Sequence, residues 1–215
     1  MIPDWASERK RMVDRQLRRR GITDERVLAA MRSIPREEFV PLELRVLSYK
    51  DDPVSIGFGQ TISQPYMVAL MAQCLELKGT EVVLDVGTGS GYGAALLGAL
   101  AARVVSIELV EGLARLARQN LKRTGWDQNV AVVAGDGSVG YREGAPYDAI
   151  SVAAAAPGVP DTLVEQLRDP GRLVIPIGSR LEQSLMIVTK RNGATKSRVE
   201  TNCRFVPLLG SEGWR

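Results

Sequence analysis

An apolar run, VVLDV at residues 82–86, leads directly into Gly87-Thr88-Gly89-Ser90-Gly91, and an Ala- and Leu-rich stretch follows. Glycines on alternate positions suit a backbone that turns sharply and lets a ligand approach closely. The N–H groups that open the next helix face the same spot. Strand, glycine loop and helix in this order open a parallel α/β sheet. The pattern then repeats. RVVSIE (103–108), VAVVAGD (130–136), YDAISVAA (147–154) and RLVIPIG (172–178) read as strands, and 91–101, 111–123 and 160–168 as helices. SLMIVTK (184–190) and residues near 197–208 close the chain as a hairpin across Arg191-Asn192-Gly193. The expected fold is a doubly wound, Rossmann-like α/β sheet with a terminal β-hairpin.

Ahead of this core, 5–20 and 24–33 read as helices. Thr23 or Asp24 caps the second, and Val27, Leu28, Met31 and Ile34 mark its apolar face. Residues 42–64 read as irregular, with DDP and IGFGQ as turn signals. Pro65 opens a further helix, to about Leu77. With no long linker in 215 residues, one domain is expected: an N-terminal helical cap and substrate loop over 1–64 and the core over 65–215.

Composition narrows the chemistry. The chain has no histidine, so Ser-His-Asp and Cys-His catalysis and His-ligated zinc are excluded. Cys74 and Cys203 are far apart in sequence and form no metal-ligand pattern, so no metal site is expected. The expected setting is cytoplasmic, since no secretory apolar segment and no eighteen-residue apolar run are present. Arg18-Arg19-Arg20 lies among acids and without interleaved aromatics, which reads as a solvated helix face rather than a nucleic-acid surface; the other arginines of the N-terminal helices are expected to face solvent too.

Carboxylates sit at the ends of three successive strands: Asp85 near the first, Glu108 at the second and Asp136, followed by Gly137, at the third. Ligands of such sheets lie at the carboxyl ends of the strands. Glu108 can accept both hydroxyl protons of a ribose, and Asp136-Gly137 can read an adenine edge. A ring of acids around an adenosine site suits a cationic cofactor without phosphate, S-adenosyl-L-methionine. The looser dinucleotide pattern Gly89, Gly91, Ala94 keeps a nicotinamide cofactor as the rival reading.

GQTISQPY (59–66) precedes this machinery. Methyl transfer from a sulfonium to a carboxylate needs no base at neutral pH, in agreement with the missing histidines, but it does need alignment. Ser63 can donate a hydrogen bond to the accepting carboxylate, Gln60, Thr61 and Ile62 complete the loop, and Pro65 fixes the helix behind it. The rival reading of Ser63 is a helix N-cap. Tyr66 and Tyr92 either shield the cofactor or pack, and Trp214 reads as an anchor.

GQTISQPYMVALM (59–71) resembles the signature of the protein-L-isoaspartate (D-aspartate) O-methyltransferases. The resemblance extends through RMVDRQLRRRGITDERVLAAMRSIPREEFVP (11–41), VLDVGTGSGY (83–92), GDG (135–137), residues 145–167, RLVIPIG and FVPLLGSEGW (205–214). It implies a class I S-adenosylmethionine-dependent methyltransferase sheet and a repair enzyme, most simply a monomer. Its partners would be damaged proteins and peptides containing L-isoaspartyl, and often D-aspartyl, residues, with no nucleic acid or membrane involved. The α-carboxyl is methylated, and the ester collapses to a succinimide that hydrolyses partly to aspartate. The resemblance places the catalytic serine at Ser63 and the cofactor contacts at Gly87, Thr88, Gly89, Ser90, Gly91, Glu108, Asp136 and Gly137, with Ala153–Pro157 beside them. Asp169-Pro170-Gly171, PVSI (53–56) and Gly93 depart from the family's usual residues. A related carboxylate O-methyltransferase acting on a dedicated peptide, or a binding protein with a relic site, would share most of these features.

Overall fold

The computed structural model describes residues 3–215. Asp24 caps the second helix, α2 (Glu25–Ser33), by accepting from the N–H groups of Arg26 and Val27. The first expected helix is not uniform. α1 (Trp5–Met12) passes into a π turn over Val13–Leu17 and a 3-10 turn over Arg18–Arg20, ended by Gly21 at φ 93°. This path keeps Met12, Val13 and Leu17 buried while the arginine run stays outside.

Residues 42–64 are more ordered than their sequence suggests. A 3-10 segment (Leu42–Leu47) leads to an antiparallel hairpin of β1 (Val54–Gly57) and β2 (Gln60–Ile62). Such short strands carry too little alternation to be read from sequence. Phe58 and Gly59 turn the hairpin, both at positive φ. Pro65 then starts α3 (Pro65–Leu75), which stops where Glu76 turns left-handed at φ 53°.

The core alternates as expected: β3 (Val82–Val86), α4 (Tyr92–Leu100), β4 (Arg103–Glu108), α5 (Glu111–Thr124), β5 (Val130–Ala134), β6 (Tyr147–Val152), α6 (Asp161–Gln166), β7 (Leu167–Gly178), β8 (Gln183–Arg191) and β9 (Ala194–Cys203). These strands form one seven-stranded sheet in the order β5-β4-β3-β6-β7-β8-β9. The first five are parallel, and β8 and β9 are added antiparallel as the terminal hairpin. Asn192-Gly193 makes its turn, and the Asp169 carboxylate accepts from both of their N–H groups.

Period-two alternation sorts the strands between two cores. Val83, Val104, Ala149 and Val174 face the side that carries α1–α5, and their neighbours Leu84, Val105, Ile150 and Leu173 face the side of α6. No helix among the described residues is long and apolar enough to cross a membrane. The strand order reverses between β3 and β6, which opens a crevice at their carboxyl ends.

Candidate active site

That crevice is a cleft of about 920 Å³ including its open mouth. The glycine loop forms its floor. Gly87 leaves β3 at φ 91° and donates to the Ile107 carbonyl at 2.9 Å; Gly89, at φ 55°, donates to a Glu108 carboxylate oxygen at 2.8 Å. Asn120, buried on α5, holds the loop from behind by donating to the Ser90 carbonyl at 3.0 Å. Gly87, Thr88, Gly89 and Ser90 line the cleft and Gly91 does not. Gly91 lies at φ 96° where a Cβ would press on the Ala117 carbonyl at 3.3 Å, so its task is the close approach of α4 to α5.

The three strand-end carboxylates have different surroundings. Glu108 is buried in the cleft wall, and each of its oxygens accepts one backbone N–H, from Gly89 and Val110. A lone pair remains on each oxygen, enough for a vicinal diol. Asp85 is 3% exposed, and burial pushes its carboxyl up to about 6, against the hydrogen bond from the Ser106 hydroxyl at 2.7 Å. Ser106 also pairs with the Thr88 hydroxyl at 2.6 Å. Asp85 thus reaches the cleft with no cation beside it.

Asp136 is turned away from the cleft, where only its neighbour Gly137 appears. One Asp136 oxygen accepts from the N–H and hydroxyl of Ser138, and the other from the N–H of Ser211 at 2.8 Å. Burial acts to raise its carboxyl, but these hydrogen bonds outweigh it and hold it below the ordinary aspartate value. Its carboxylate is tied to the C-terminal segment. That segment was missed as part of the site: Val206, Pro207, Leu208 and Leu209 form the opposite wall. It is pinned by Glu212, which accepts from Thr162, and by Trp214, whose indole N–H donates to the Ala155 carbonyl at 3.0 Å. Trp214 is the anchor it was expected to be. An apolar stretch with one proline gave no periodic signal to find this wall by.

The hairpin covers the loop from above. Ile56 Cδ1 lies 3.2 Å from where a Cβ on Gly89 would be, and the Phe58 ring lies 2.6 Å from the corresponding point on Gly112, at the start of α5. Gln60, Thr61, Ile62 and Ser63 all reach the cleft. Ser63 is not the N-cap of α3: Gln64 holds that position and no side chain caps the helix. The Ser63 hydroxyl makes no hydrogen bond among the described residues, while its carbonyl accepts from Arg36 at 2.8 Å. Tyr92 lines the cleft, its ring edge-on to Phe39. Tyr66 instead packs beneath the Arg20 guanidinium at 3.6 Å. Ala153 and Ala154, at the end of β6, complete the floor.

Comparison with known proteins decides what such a cleft belongs to. Residues 7–213 match the family model of protein-L-isoaspartate(D-aspartate) O-methyltransferase. The chain belongs to that family. It is 54% identical over 213 residues to protein-L-isoaspartate O-methyltransferase 2 of Marinobacter nauticus, covering 98% of this chain and 97% of that one. It is 52% identical over 208 residues to the protein-L-isoaspartate O-methyltransferase of Methanoculleus marisnigri, covering 97% and 94%. Among solved structures, one from Plasmodium falciparum, described as a protein-L-isoaspartate O-methyltransferase in complex with S-adenosyl-L-homocysteine, superposes with a TM-score of 0.80 at 30% identity over 94% of this chain and 98% of that one.

The methyltransferase uses S-adenosylmethionine, and its cleft fits that cofactor. The Ser90 hydroxyl is buried without a partner among the described residues. Glu108 keeps acceptor capacity for a diol, and Asp85 brings a carboxylate to the floor for a cationic ligand.

Proposed function

We propose that this chain repairs damaged proteins by esterifying the α-carboxyl of L-isoaspartyl residues, with Ser63 as the residue that orients the carboxylate. The carrying observation is the Ser63 hydroxyl: it lies in the cleft, opposite the glycine loop, with no protein partner of its own. S-adenosylmethionine, when bound, supplies a methyl group on a sulfonium. Gly87–Ser90 and Gly137 would seat it, Glu108 would take its ribose and Asp85 would face its positive charge.

The substrate carboxylate is ionised at neutral pH, so no residue has to remove a proton. Ser63 donates one hydrogen bond to it and steers one oxygen toward the methyl group. The Val206–Leu209 wall and the hairpin keep water from the reacting atoms, where alignment and desolvation supply the rate. The isoaspartyl linkage differs from the normal one in where its free carboxylate projects, so the gap between hairpin and C-terminal wall selects it by reach. D-aspartyl residues are the accompanying substrate class. We place the whole chain in one catalytic domain, with 1–64 as cap and substrate loop and 65–215 as core, acting as a cytoplasmic monomer on proteins and peptides rather than on nucleic acid.

The test is methyl transfer from labelled cofactor to two peptides that differ only in an isoaspartyl or a normal aspartyl residue. A base-labile ester on the isoaspartyl peptide alone is expected; equal labelling of both, or of neither, would overturn the reading. Ser63→Ala should lower kcat roughly tenfold to a hundredfold and leave the cofactor dissociation constant within about twofold.

A further inference from the structure

Arg36, in the turn that follows α2, is the arginine of the N-terminal segment that lies deepest. It is 0% exposed, the largest of the fully buried side chains. Its Nε donates to the Ser48 carbonyl at 2.7 Å, and one Nη donates to the Ser63 carbonyl at 2.8 Å. The other Nη is buried and has no partner among the described residues. The guanidinium carbon lies 4.9 Å from the centre of the Tyr92 ring, and that ring borders the cleft.

No carboxylate pairs with this cation among the described residues. Glu37, its sequence neighbour, is taken by Arg9 at 3.2 Å and by the Tyr49 hydroxyl. Asp51 is taken by Arg20 and by the N–H of Tyr66. Burial pulls the guanidinium down to about 10, so it still carries its proton at neutral pH. A buried charge without a counter-ion destabilises a fold, and a well-packed apolar side chain of the same volume would serve stability better. An arginine retained at such a position points to a task in the site.

We infer that Arg36 is the positioning residue of the substrate loop: its guanidinium holds the backbone of Ser63 in place and sets an uncompensated positive charge behind the point where the substrate carboxylate binds. Two parallel demands explain the residue type. The loop needs a planar fork able to reach Ser48 and Ser63 carbonyls together, which a lysine cannot reproduce. The anionic substrate needs a favourable potential that does not itself transfer a proton or compete as a nucleophile. Tyr92 lies between guanidinium and cleft and keeps the charge from solvent. The inference rests on the proposed reaction and assigns it a residue outside the cleft.

The experiment compares Arg36→Lys, Arg36→Met, Ser63→Ala and the Lys/Ala double variant with the wild type, using the isoaspartyl peptide and calorimetry with S-adenosylhomocysteine. Arg36→Lys should lower kcat roughly tenfold to a hundredfold, the scale of a small misplacement of reacting groups. Arg36→Met should in addition raise the peptide KM above that of Arg36→Lys, because the charge is gone. Both should keep the cofactor analogue's dissociation constant within about twofold. In the Ser63→Ala background Arg36→Lys should lower kcat no further, since the residue acts through Ser63. A full multiplicative loss in the double variant, unchanged kcat in Arg36→Lys, or analogue binding that weakens in step with kcat would each overturn the inference.

Should the variants not fold, the wild type still decides. The side-chain 15N signal of Arg36, assigned through its own carbons, should shift when isoaspartyl peptide is added to the analogue complex and stay put with the normal peptide. A signal indifferent to both overturns the inference. Wild-type protein that forms no ester at all overturns the proposed reaction itself, and that result is read before any variant is compared.

Discussion

Asp85 is the residue whose environment makes the sharpest demand. Its carboxyl is held at about 6 in the folded protein, against an ordinary value of 3.8. An acid with a raised folded value binds more protons folded than unfolded, so its ionisation works against the fold as pH rises from 3.8 toward 6 and fully above 6. Asp85→Asn should therefore stabilise the cofactor-free protein at pH 8, on the order of 3 kcal/mol, with the gain fading as pH falls from 6 toward 4. The same substitution should weaken cofactor binding, because it removes the carboxylate that faces a cation. Denaturant melts at pH 8 and pH 4, with calorimetry beside them, check both halves. Gly93 offers a simpler case. It lies within α4, and a Cβ there meets nothing within 4 Å. Gly93→Ala should add about 0.5–1 kcal/mol of stability to the cofactor-free protein by helix propensity, seen as a melting temperature a few degrees higher. The residues legible in the sequence as bordering the cleft are those defined by backbone need or strand position: Gly87, Gly89, Asp85 and Glu108. The sequence could not show the ties of Asp136 to Ser211 or of Arg36 to Ser48 and Ser63, because each partner lies some distance along the chain.

At the scale of elements, the β1–β2 hairpin is the piece laid over the cofactor loop. It meets the cofactor loop through Ile56 over Gly89 and the start of α5 through Phe58 over Gly112, and Phe58 is otherwise 63% exposed. A side chain at Gly112 would collide with the Phe58 ring. Gly112→Val is expected to lift the hairpin tip, weaken cofactor binding several-fold and speed proteolytic cleavage after Phe58. Phe58→Ala should weaken binding too, and the Gly112→Val/Phe58→Ala pair should be no weaker than Phe58→Ala alone, since the collision is removed. Equal additive losses would show that the two residues do not meet. The strands and helices of the core were legible because apolar, β-branched runs alternate with helical ones after the glycine loop. The hairpin was visible only as a turn: IGFGQ announced the reversal, but three and four residues of strand gave no period.

For the whole molecule, the cleft is a product of segments that are distant in sequence. The hairpin, the glycine loop, the end of β4, the end of β6 and the 206–209 stretch each contribute a wall. Asp136, after β5, ties its loop to the C-terminal segment by accepting from Ser211, and Glu212 ties the same segment to α6 through Thr162. Asp136→Ala should loosen the C-terminal wall more than the cofactor seat, raising the peptide KM roughly fivefold to tenfold while cofactor affinity changes little. A larger loss in cofactor affinity than in peptide KM would restore the adenine contact that the sequence suggested. The sheet order could be anticipated from strand–helix alternation and the handedness of crossovers. The wall built by 206–209 could not, since its place depends on three-dimensional ties that leave no local mark.

The same dispersal of the cleft along the chain sets a condition on refolding. Catalytic competence cannot return with the first helices or with the central strands, because loop closures spanning much of the sequence must all be complete first. Recovery of methyl transfer after dilution from denaturant is thus a clock for the last of those closures, and any partly folded species leaves the substrate untouched.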